Sequence, residues 1–180
     1  SKDISNENIK IDGFSSSPFR VDCPSIEDHR KGGVVLYYQE NLPIRERPDL
    51  LSGLDETIIA EIELKNKKNI FYVLSYRSPN QNKDEYTAYF KKLESVYVSI
   101  SKLKPAAIIL NADFNARSPL FWDNESTEKP EGKILSDIML LNYMEQLINE
   151  PTHFPEDKNA TCIDLILTGQ PNLFVDSSIM

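Results

Sequence analysis

An apolar run, Ala106-Ala107-Ile108-Ile109-Leu110, ends abruptly in Asn111-Ala112-Asp113-Phe114-Asn115-Ala116. The run does not alternate with polar residues, which predicts a strand covered on both faces and therefore a layered α/β domain. If that strand continues a little past residue 110, Asp113 and Asn115 point to one side and Phe114 to the other. A carboxylate beside a carboxamide at the C-terminal end of a buried strand is where open α/β sheets build sites. The same residues also suit a polar Asx turn that merely closes the strand. Spacing alone leaves both readings open.

At 180 residues the chain is expected to form one domain, 1–180, around a single core. The 28 acidic residues exceed the 20 basic ones, giving a formal charge of −8, which argues against a protein held to nucleic acid by a broad basic face. That balance does not exclude an enzyme that cleaves a phosphodiester with a bound cation, because such a site needs carboxylates and few phosphate contacts. Cys23 and Cys162 are far apart and form neither a metal-ligand cluster nor a disulfide framework, so a reduced intracellular protein is the expectation. No apolar run is long enough for a membrane span, and no membrane partner is expected. The start Ser1-Lys2-Asp3 suggests a chain that begins inside a longer protein.

Along the chain, residues 1–31 read as an irregular lead-in with a turn at Asp12-Gly13. Gly32-Gly33 opens a strand through Tyr38, and Thr57–Leu64 alternates as a half-buried strand. Asn66–Asn69 reads as a hairpin loop returning through Ile70–Tyr76. From Lys83 to Lys104 apolar residues recur every three or four positions, an amphipathic helix opened by an Asn82/Glu85 capping box and stopped by Pro105. A polar loop over 116–133 precedes a second helix from about Gly132 to Gln146, with Ile134, Leu135, Ile138, Leu141 and Met144 on its inner face. The last strand spans Thr161–Thr168, with Ile163, Leu165 and Leu167 on one side and Cys162, Asp164 and Ile166 on the other. The order β-β-β-α-β-α-β suggests two sheets with helices outside.

Asp164 is the second informative residue, since an acid inside an apolar strand is costly unless it is paired, hydrogen-bonded or near a cation. Tyr76 ends a strand before a proline turn, where its phenol either reaches a cleft or packs with the hydroxyl in water. Asn80 is first of all a turn residue. His153 and His29 lie in polar loops and read as solvated.

Taken together, the Gly-Gly-Val strand start, Ser75-Tyr76-Arg77-Ser78-Pro79-Asn80, Asn111-Ala112-Asp113-Phe114-Asn115-Ala116 and Cys162-Ile163-Asp164-Leu165-Ile166-Leu167 are arranged in order. In that order the chain resembles the endonuclease/exonuclease/phosphatase superfamily from about Ile11 to Phe174. Within it the chain is most similar to the endonuclease domain that precedes reverse transcriptase in non-LTR (LINE-type) retrotransposons.

The resemblance implies a four-layered α/β sandwich, two mixed, largely antiparallel sheets face to face with helices outside, incomplete at both ends. It implies DNA nicking by Mg2+- or Mn2+-dependent phosphodiester hydrolysis in the nucleus, leaving a 3′-hydroxyl for target-primed reverse transcription by a fused polymerase. Asp113 would orient or deprotonate the attacking water, Asn115 hold the scissile phosphate, Tyr76 hydrogen-bond the phosphate, Asp164 orient the family's histidine, and Asn80 lie on the phosphate side. The family's metal-binding Glu and its Ser-Asp-His are expected outside this chain, which would then be inactive alone. Asn111 replaces a customary Gly, and Cys162 sits where many relatives have a basic residue. Two alternatives follow: a relative acting on lipid or inositol phosphates, and a decayed copy serving as a non-catalytic scaffold or binding module.

Overall fold

A computed structural model describes residues 11–22, 33–65, 68–156 and 159–174. Eight strands and two helices run in the order β1 (Phe19–Asp22), β2 (Gly33–Leu36), β3 (Ile44–Glu46), β4 (Thr57–Glu63), β5 (Asn69–Tyr76), α1 (Lys83–Ser101), β6 (Ala107–Asp113), α2 (Pro130–Leu141), β7 (Glu145–Gln146) and β8 (Asp164–Thr168). β1 and β2 form a two-stranded antiparallel sheet, and the rest form a six-stranded mixed sheet in the order β3-β4-β5-β6-β8-β7. Among the described strands only β5 and β6 run parallel, joined through α1, and the other neighbouring pairs are antiparallel.

The two faces of the large sheet are buried against different partners. Ile59, Phe71, Val73, Ile108, Leu110, Ala112, Leu165 and Leu167 share one core with Phe90, Leu93, Val96 and Ile100 of α1 and Leu135, Ile138 and Met139 of α2. The opposite face of β4, Ile58 and Ala60, is also fully buried, beneath the β1–β2 sheet. The expected sandwich of two sheets with helices outside is therefore present, and among the described residues it has three layers: helices, large sheet, small sheet.

α1 begins with the expected capping box: the Asn82 side chain accepts from Asp84 and Glu85 N–H groups, and Glu85 reaches back to the Asn82 N–H at 2.7 Å. It stops earlier than expected, at Ser101, in a turn with Lys104 left-handed. α2 is shorter and differently phased than its periodicity suggested. Left-handed Tyr143 ends it, with the Met144 N–H bonded to Met139 O and the Tyr143 N–H to Leu140 O, a Schellman closure without glycine. Leu141 is thereby left exposed, and Gln146 belongs to β7 rather than to the helix.

β4 is covered on both faces rather than half-buried, because Thr57 and Glu61 are buried with partners of their own. β8 starts at Asp164, and Cys162 turns into the helix-side core with Leu165 and Leu167, so the expected alternation fails between 162 and 164. β1 and β3, read as lead-in and connection, are short strands with little apolar signal. Cys23, His29, Gly32, Asn66 and Lys67 lie outside the described residues. No helix among the described residues is long and apolar enough to cross a membrane.

Candidate active site at the strand ends

Register brings three of the expected residues side by side. Tyr76, last in β5, is the ladder partner of Asp113, last in β6, and Asp113 is in turn the partner of Asp164, first in β8. Adjacent strands are about 4.8 Å apart, so these side chains form one row across three strands. The row projects from the face turned away from the helices, because Ser75, Ala112 and Leu165, the residues next to them, project toward the helices.

β6 does not continue to Asn115. Phe114 is buried and stacks against Phe90, its N–H bonds Ile163 O at 2.9 Å, and Asn115 takes a left-handed φ of 47°. The Asn115 N–H donates to Asp113 Oδ1 at 3.0 Å, and its side-chain amide donates to Arg77 O at 2.8 Å. The local form is thus an Asx turn, and the turn is what brings the amide next to the carboxylate. Asn tolerates the left-handed region better than most residues, which accounts for its presence here.

Burial pushes the Asp113 carboxyl up to about 6, and the neighbouring Asp164 charge pushes the same way, against the bonds from Asn115 and the charge of Arg77. Asp164 itself is exposed at the strand start, not buried in mid-strand as its apolar surroundings suggested. Its N–H and that of Ile163 are both held by Thr152 Oγ1, at 3.0 and 3.1 Å. Asn80 lies exposed in the turn between β5 and α1, and His153 is exposed, bridged through its backbone to Thr161.

Two further residues border this row. Arg77 is only 2% exposed and donates to Phe114 O at 2.6 Å and Asn115 O at 2.8 Å. Its position after Tyr76 in a proline turn gave no sign of burial, since arginine is among the residues least often buried. Glu56, with a left-handed φ of 47°, accepts the Tyr76 N–H through its carbonyl, and its Oε1 is buried without a hydrogen-bond partner. It lines a cleft of about 310 Å³ with Tyr76, Gln81, Glu85, Tyr89 and Lys92.

A sequence model of the endonuclease-reverse transcriptase family matches residues 70–179, which include Tyr76, Asp113, Asn115 and Asp164. The chain belongs to this family. Comparison with curated proteins gives no match. The endonuclease-reverse transcriptase fold seen here is similar to the endonuclease domain of TRAS1, a telomere-specific non-LTR retrotransposon, at 16% identity and TM-score 0.66, covering 87% of this chain and 68% of that one. It is also similar to the human Nocturnin catalytic domain, at 14% identity and TM-score 0.57, covering 88% of this chain and 61% of that one. A third likeness is to the 3′ phosphatase NExo from Neisseria bound to product DNA hairpin, at 13% identity and TM-score 0.50, covering 76% and 62%. The family member described here spans between 61% and 68% of the length of these three chains.

Proposed function

We propose that this chain is the central part of a nuclease of the retrotransposon type, hydrolysing a DNA phosphodiester at the Tyr76–Asp113–Asp164 row. The observation that carries the reading is the register itself: two carboxylates and a phenol stand side by side, with a carboxamide fixed in the next turn. Asp113, poised at about 6, orients the attacking water and takes its proton near neutral pH. The Asn115 amide has two N–H donors, and one remains for a phosphate oxygen after the bond to Arg77 O. The Tyr76 phenol donates to the phosphate as negative charge develops on it. Asp164 keeps its proposed role of orienting a histidine, which lies outside the described residues.

The family's cofactor, Mg2+ or Mn2+, would polarise the phosphate and stabilise the leaving oxygen. Among the described residues no group of three His, Cys, Asp or Glu could hold such an ion, so the described residues do not by themselves complete a cation site. DNA as substrate, a fused reverse transcriptase and action in the nucleus complete the proposal.

Plasmid nicking in magnesium by a protein that carries the flanking reading frame tests it. Asp113→Ala should lower the rate roughly 10²- to 10⁴-fold, the usual contribution of a positioned general base. An absence of nicking, or nicking indifferent to that substitution, would sink the reading. The solved neighbours also include phosphatases, and faster hydrolysis of an inositol phosphate than of DNA would move the substrate to small phosphoesters.

A further inference from the structure

Three consecutive carbonyl oxygens, those of Asp113, Phe114 and Asn115, all accept from Arg77. The backbone N–H bonds Asp113 O at 3.0 Å, Nε bonds Phe114 O at 2.6 Å and Nη2 bonds Asn115 O at 2.8 Å. The tie is reciprocal, because Arg77 O receives the Asn115 amide at 2.8 Å. The remaining nitrogen, Nη1, reaches Ser78 O at 3.2 Å and Gln81 Oε1 at 3.4 Å, and the guanidinium lies 5.8 Å from the Phe90 ring centroid. A planar fork with fixed donor directions is pre-organised to hold two diverging carbonyls of a left-handed turn, whereas an ammonium on a flexible stem has no fixed donor directions to set them.

The charge is expensive to bury, and none of the hydrogen bonds found for this guanidinium goes to a carboxylate. Glu131, Tyr89, Asp113 and Tyr76 are the groups whose electrostatic influence favours its charged form. A purely space-filling role would be met by an apolar side chain at lower cost. We propose that Arg77 is a positioning residue that locks the Asp113–Asn115 turn and supports the ionised form of Asp113; this rests on the reading of that turn as the reacting site.

The test uses the whole chain, isotope-labelled, as wild type, Arg77→Lys and Arg77→Met, with urea unfolding to verify the fold. In folded Arg77→Lys the Asn115 side-chain amide should exchange at least about ten-fold faster, with little change in the Asp113 carboxyl titration. In folded Arg77→Met the amide should be freed as well, and the Asp113 midpoint should rise. Folded variants with an unchanged Asn115 amide and an unchanged Asp113 midpoint would overturn the proposal.

If neither variant folds, the wild-type chain decides. A lock requires the Arg77 Nε–H and the Asn115 backbone N–H to open together, with protection agreeing within about three-fold. An Asn115 N–H that exchanges far faster than the Arg77 Nε–H would overturn it. Activity separates the two claims: nicking indifferent to Asp113→Ala, alongside the expected exchange behaviour, removes the site and leaves the lock.

Discussion

Arg47 and Arg77 occupy matching places toward opposite ends of the sheet, each with its guanidinium 5.8 Å from a phenylalanine centroid, Phe71 and Phe90 respectively. Their partners differ. Arg47 is held by Asp49 at 2.7 and 2.8 Å and by Glu61 at 2.5 Å, which raise its pKa further above the ordinary arginine value. Arg77 meets carbonyls, a turn and a glutamine, and burial lowers its pKa. The first arrangement cancels its own charge and serves the fold, as ion pairs between connection and strand do. The second leaves a positive charge whose influence partly offsets the burial and the neighbouring acid that raise the Asp113 pKa.

The contrast breaks most visibly at Arg77. Arg77→Met leaves two carbonyls of one turn, those of Phe114 and Asn115, without their side-chain donors and should cost roughly 3–5 kcal/mol in urea unfolding, the range for breaking a buried charged contact. Glu61→Gln comes next: with its side chain only 5% exposed it serves Arg45, Arg47 and Asn69 together, so its loss should cost about 2–3 kcal/mol. Arg47→Lys should cost no more than about 1 kcal/mol, since Arg47 is 20% exposed and its other partner, Asp49, lies in solvent.

The two regions also differ in a pair of opposed pH slopes. Burial alone would raise the Glu61 pKa, but the bonds from Arg47, Arg45 and Asn69 outweigh it and hold it low. Glu61 therefore contributes stability above the ordinary carboxylate range that is lost as pH falls through its depressed folded value. Asp113 has the reverse sign, because its pKa rises from 3.8 to about 6 on folding. Its contribution declines as pH climbs between those values, and Asp113→Asn should flatten that decline in urea midpoints measured across the interval.

Much of this arrangement was legible in the chain. The apolar run before Asp113 marked a strand, although only one of its faces is fully buried and Ile109, Asn111 and Asp113 on the other are half-buried; the hairpin, α1 and its capping box followed from local pattern. Tyr76, Asp113 and Asp164 could be nominated because an acid or phenol at the end of an apolar strand is costly to leave idle. Their common row could not be read, since register depends on pairing between strands distant in sequence. Glu61 misled, because a buried carboxylate held by three partners looks like a solvent-facing one until those partners are seen. Asp164 misled in the other direction, since the apolar residues around it said nothing of where the strand begins. Arg77 left no mark at all, for its acceptors are backbone carbonyls, which every sequence has.

The order of the strands also bears on how the chain acquires its site. Tyr76 and Asp113 sit on β5 and β6, joined by α1 alone, so they meet as soon as that local unit forms. Asp164 lies on β8, which follows the second helix in the chain and sits between β6 and β7 in the sheet. Until β8 docks, Asp113 lacks its acidic neighbour and the strand that buries it. The titration of one carboxyl thus reports whether β8 is in place, since the Asp164 charge that helps to raise it comes only with that strand.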